Sequence, residues 1–191
     1  MKRAIVAVFC VAMVLAVAAI ASILYRGVST RDAPTRTEVV IARTMRHFAV
    51  PAKLRSVKNP IPLTPEVLAE AREHFADHCA QCHGNDGRGA TEMGKNLYPR
   101  APDMTRPATQ QLSDGELFAM IKNGIRLTGM PAWGAEHGDD AATWKLVHFI
   151  RHLPRMTKEE AESMRAFNPV SPAELNEARE EREFLSGHPQ P

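Results

Sequence analysis

An uncharged stretch from Ala4 to Tyr25 opens the chain, preceded by Lys2 and Arg3. Continuous apolar character of this length predicts a helix able to cross the ~30 Å hydrocarbon layer of a bilayer. From Thr64 the pattern changes to a helical period. Thr64 predicts an N-cap and Pro65 a first helical residue, and Leu68, Ala71, Phe75, Cys79 and Cys82 then recur on one face. Ser113 with Glu116 forms a capping-box pair that predicts a second helix carrying Leu117, Phe118 and Ile121, ended by Gly124. A third helix is expected after Asp139 or Asp140, presenting Trp144, Val147 and Ile150 and stopping at Pro154. Thr157 with Glu160, and Ser171 with Glu174, predict two further helices, both polar and placed at or beyond the surface. The segments 84–110 and 126–138, rich in Gly, Pro, Asn and Asp, read as loops.

The expected organisation is therefore an anchor over 1–25, a linker over 26–63, a compact domain over 64–154 and a polar helical extension over 155–191. Pro34, Pro51, Pro60 and Pro62 punctuate the linker, in which a short strand around Val39–Ile41 is the one candidate element. Ala19-Ile20-Ala21 would serve a signal peptidase, but the apolar core is longer than the roughly 7–15 residues of a cleavable signal. An uncleaved anchor is the favoured reading. Lys2 and Arg3 place its N-terminus in the cytoplasm, with Arg26 and Arg31 weakening that bias. Cys10, preceded by Phe9, does not match a lipid-attachment site.

Charge adds little for the whole chain and more for its parts. A net charge of +2 over 191 residues argues against a nucleic-acid partner. The linker is basic, with Arg31, Arg36, Arg43, Arg46, Lys53, Arg55 and Lys58 among its residues, and the extension is rich in glutamate. A solvated linker explains the basic run; contact with anionic lipid or an acidic partner is the functional alternative. Three cysteines are too few for a disulfide scaffold.

Two of those cysteines carry the chemistry. Cys79-Ala80-Gln81-Cys82-His83 is a C-x-x-C-H sequence on a helix. Thiols at i and i+3 face one side, as addition to the two vinyl groups of one haem requires, and an imidazole directly after the second thiol can reach the iron. A thioredoxin-like pair would need a βαβ setting, and a zinc site a second cysteine pair; neither pattern is present. A second axial ligand would be methionine or histidine. Among nine methionines, Met130 stands out in Thr128-Gly129-Met130-Pro131, between two helices, with Pro131 stiffening the chain beyond the sulfur. Met104 is the runner-up. Met120 reads as core, Met93 as exposed, and His137 or His148 would give a bis-histidine site.

These motifs, with Gly84, Asp86-Gly87-Arg88-Gly89, Pro102-Asp103-Met104-Thr105, Ile121-Lys122-Asn123-Gly124-Ile125-Arg126, Ala132-Trp133-Gly134 and Trp144 through Pro154, resemble the small bacterial monohaem cytochrome c family, above all its membrane-tethered members. The resemblance spans roughly 65–154. It implies an all-α cytochrome c fold around one covalent haem c, an iron cofactor, His83 as proximal ligand and Met130 as distal ligand. It also implies that the first and last core helices cross, with Phe75 meeting Trp144 or Val147. A carbonyl of Pro99 or Pro102 would hold the His83 ring. The implied activity is electron transfer, with no catalysis of its own, by a domain held on the periplasmic side of the inner membrane. Its partners would be membrane respiratory or dehydrogenase electron donors and acceptors. The alternatives are a haem subunit of a larger respiratory oxidoreductase and a haem enzyme with an open iron site.

Overall fold

The computed structural model describes residues 2–27, 29–134 and 140–186; among them every regular element is helical and there is no strand. His137, Asp139 and the end of the 126–138 loop lie outside the described residues. Two units divide the chain, Met1–Ala33 and Pro34–Pro191.

The first unit is α1 (Lys2–Arg26), 25 residues that at 1.5 Å each span about 37 Å. Its apolar side chains are exposed all round, Ile5 by 65% and Leu24 by 79%. A helix apolar on every face is stable only inside an apolar surrounding, and this one has the length to cross a membrane.

The second unit begins with a helix where a tether was expected. α2 (Arg36–Ala49) covers Val39–Ile41, so the anticipated strand is absent. Thr35 and Glu38 form a capping box: Glu38 N–H donates to Thr35 Oγ1, and Glu38 Oε2 accepts from the Thr35 backbone at 2.6 Å. Pro34 and Pro51 bracket the helix rather than interrupt it. The short α3 (Ala52–Arg55) then packs against Gly115, which lies so close to the Leu54 carbonyl that a Cβ would stand 1.7 Å from it.

The core follows from three amphipathic helices. α4 (Pro65–His74) starts at Thr64, whose Oγ1 accepts from Val67 N–H at 3.2 Å. α8 (Asp114–Asn123) starts at Ser113 with the reciprocal Glu116 bond. It ends at Gly124, whose φ of +66° a Cβ would strain. α9 (Ala141–His152) runs into a 3₁₀ turn, Leu153–Arg155, containing Pro154. Asp140, at its start, caps no N–H; its Oδ2 accepts from Lys122 Nζ at 2.5 Å.

α4 and α9 pack together as expected, but the aromatic pairing differs. Phe75 packs on Phe149, ring centroids 4.8 Å apart, while Trp144 stacks on Phe118 at 4.0 Å. Phe75, Phe149 and Val147 are all but fully buried. Arg151 closes the far side: its guanidinium donates to Asp114 Oδ1 and to the carbonyls of Gln110 and Leu112. The 84–110 segment, which follows α5 (Ala80–His83), is not wholly loop; it holds the short α6 (Glu92–Asn96) and α7 (Pro107–Gln110).

Beyond Pro154 come α10 (Lys158–Ser163), a 3₁₀ turn Met164–Phe167, and α11 (Pro172–Ser186). α11 is exposed along its length. The preceding turn is not peripheral: Met164 is completely buried in the core cluster.

Candidate haem site

α4 does not continue as one regular helix into the cysteine pair. Residues Phe75–Cys79 form a π turn, in which Ala80 N–H donates to the Phe75 carbonyl, and α5 then carries Ala80–His83. Wide turns of this kind recur at functional sites, because the extra residue re-aims the side chains that follow. Cys79 closes the π turn and Cys82 lies in α5, so the motif spans a change of helical pitch. Both are free thiols. Burial, and the neighbouring Cys82, push the Cys79 thiol up to about 12; burial also raises Cys82.

His83 ends α5. Burial holds its imidazole below the ordinary value, which keeps it neutral at pH 7, the form that ligates iron. Its ring lies 6.5 Å from that of Phe75. The Nδ1 atom is buried and has no hydrogen-bond partner among the described residues, so neither Pro99 nor Pro102 supplies the anticipated carbonyl. Leaving a buried polar nitrogen unmatched costs about 1–3 kcal/mol. A neutral imidazole directly after two thiols three residues apart is the donor set that covalent haem attachment uses.

The chain after the motif is folded back over it. Gly89 N–H donates to the His83 carbonyl at 2.7 Å, and Thr91 Oγ1 donates to the Cys82 carbonyl at 2.9 Å. Gly94 of α6 sits against the same carbonyl, where a Cβ would stand 2.2 Å from the Cys82 oxygen. α6 leads to Leu97, whose side chain fills the space beside Gly129.

Met130 is half-buried in the loop after α8. Its N–H donates to Thr128 Oγ1 (3.1 Å) and its carbonyl accepts from Ile125 N–H (3.1 Å). Trp133 N–H and Gly134 N–H donate to the carbonyls of Ile121 and Lys122, strapping the loop to the end of α8. The loop also meets the motif: Trp133 packs on His78, edge to face at 5.3 Å, one residue before Cys79. Cys79, Cys82 and His83 thus share one turn, and the Met130 loop approaches it through Leu97 and Trp133.

Met104 is buried in the core, its carbonyl accepting from Gln110 Nε2 at 2.7 Å. Met93 is exposed and Met120 half-buried within α8. His148 Nε2 meets the Ile61 carbonyl at 2.7 Å. Sequence reasoning missed Asn168, whose Nδ2 donates to the Ala76 carbonyl in the π turn (2.8 Å) and which pairs with Asn85, two residues beyond His83. No local signal marks it, since the contact joins residues far apart in the chain.

Residues 66–150 match the family described as cytochrome c oxidase, cbb3-type, subunit III. FixP, a cbb3-type cytochrome c oxidase subunit of Rhizobium meliloti, is 33% identical over 97 residues, covering 48% of this chain and 29% of that protein. The FixP subunit of Rhizobium etli is 40% identical over 92 residues, 46% of this chain and 28% of that protein. Residues 66–150 are a c-type cytochrome domain. The group such a domain carries is covalent haem c with its iron. With α1 at its N-terminus, the chain is a membrane-associated c-type cytochrome. It spans less than a third of the length of the relatives it matches. A chain of the Kuenenia stuttgartiensis reducing HAO-like protein complex is also similar, with a TM-score of 0.43 and 23% identity over 51% of this chain and 49% of that one.

Proposed function

We propose that this chain transfers electrons through a single haem held by thioether bonds to Cys79 and Cys82, with His83 and Met130 as the two iron ligands. The observation that carries the reading is the Met130 loop, strapped to α8 and set against the C-x-x-C-H turn through Trp133 and Leu97. Bound there, the haem supplies a reversible one-electron couple.

The chain's own residues tune and protect that couple. His83, kept neutral by burial, offers a lone pair at neutral pH. Met130, a soft thioether, favours the ferrous state and raises the potential. Phe75 and the Phe149 ring behind it exclude water from the His83 side. His83 and Met130, both holding the iron of a bound haem, would leave no open site for small-molecule chemistry, which separates this reading from a haem enzyme.

α1 anchors the domain to the membrane. Lys2 and Arg3 favour a cytoplasmic N-terminus, which puts the haem domain on the periplasmic face of the inner membrane. The relatives named as cbb3-type oxidase subunits favour a haem subunit of a respiratory oxidase over a free carrier. Its electron partners are then membrane respiratory proteins, and a mild-detergent extract should hold the chain in an assembly larger than one subunit.

A potentiometric titration of the full chain in detergent tests the ligation. One reversible one-electron wave is expected, and Met130→His should move its midpoint to lower potential. An unchanged midpoint in that variant would remove Met130 from the iron.

A further inference from the structure

The helix α2 carries a surface that the haem site does not use. Val40, Ile41, Met45 and Phe48 are exposed by 63%, 53%, 59% and 75%. At 100° per residue these positions fall within one side of the helix, spanning about 140°. Arg36 and Arg43, both exposed, border that side, four residues before and three after Val40. Glu38, the helix's single acidic residue, is held by the Thr35 cap and by a hydrogen bond with Tyr98. The fold holds the chain at Glu38, through Tyr98, and then after the helix, at Val50, which is 3% exposed, and at α3 on α8. Val40, Ile41 and Met45 lie outside the core.

Chain length limits what can cover it. α1 ends at Arg26 and α2 starts at Arg36, so nine residues join them. Fully extended, that segment reaches about 30 Å. A helix tethered this closely to a membrane span, basic along one border and apolar beside it, matches a bilayer surface carrying negative headgroups better than an acidic protein. We propose that α2 lies along the anionic surface of the bilayer, with Val40, Ile41 and Met45 at the acyl boundary and Arg36 and Arg43 on lipid phosphates. Because α3 follows directly and docks on α8, this second attachment would restrict how the haem domain turns above the membrane. The inference rests on the anchoring by α1 proposed above.

The test is hydrogen exchange of the haem-loaded full chain in nanodiscs of phosphatidylcholine, with and without phosphatidylglycerol. Amides of residues 39–49 should exchange about tenfold more slowly in the anionic discs. The double variant Ile41→Asp, Met45→Asp should lose that protection while staying on the discs with an unchanged reduced haem spectrum. Equal exchange in both lipids with the chain retained would overturn the interfacial helix alone. So would protection that arises only when a soluble acidic partner protein is added. Loss of the chain from the discs would overturn the anchoring and this inference with it.

Discussion

Asn168 is a side chain whose importance is tertiary. Its amide satisfies the Ala76 carbonyl within the π turn and pairs with Asn85 on the far side of the motif. Replacing it by alanine removes both bonds, and Asn168→Ala should lower stability by about 1–3 kcal/mol in denaturant unfolding. Gly94 is constrained differently. A methyl group there would meet the Cys82 carbonyl at 2.2 Å, so Gly94→Ala must push α6 away from the motif. The expected outcome is a lower yield of covalent haem, read by haem staining of denatured protein. Residues such as Cys79, Cys82 and His83 were legible as a group because their chemistry depends on adjacency in the chain. The Nδ1 partner of His83, the Trp133–His78 contact and the Asn168 clamp were not, because each depends on where distant segments meet.

Elements with local start signals were the easiest to read. Thr64, Ser113 and Thr157 each accept the backbone bond that their sequence context forecasts, since capping is settled within four residues. The same signal stood in Thr35-x-x-Glu38, yet flanking prolines made 26–63 look like a tether. Pro34 and Pro51 bracket α2 rather than break it. The π turn could not be foreseen, because the choice between i+4 and i+5 bonding is made by packing around Phe75. Glu160 links cap chemistry to pH. The Thr157 backbone N–H holds its carboxyl below the ordinary 4.5, burial opposes this, and His152 adds to the lowering. A carboxylate depressed in the folded state adds stability above its unfolded value, and that increment is lost as pH falls through the folded value. Glu160→Gln should therefore lower the unfolding midpoint at pH 7, and the two proteins should converge below the carboxylate range.

At the scale of the molecule, the extension after Pro154 divides in two. The stretch through Asn168 belongs to the core, since Met164 is fully buried and Asn168 reaches the π turn. Met164→Ala should cost about 2–5 kcal/mol, the range for emptying a buried methionine site. α11 lies outside that core, and removing residues 171–191 should leave the unfolding midpoint unchanged. The polarity of 155–191 disguised this split, because one buried methionine is a faint signal among glutamates.

If His83 and Met130 close the iron on both sides, carbon monoxide has no free position to occupy. The dithionite-reduced full chain should show no rapid change in its visible spectrum on exposure to the gas, whereas Met130→Ala should bind it quickly and stoichiometrically. Rapid binding by the unaltered chain, or a variant as unreactive as the parent, would mean that Met130 does not hold the iron.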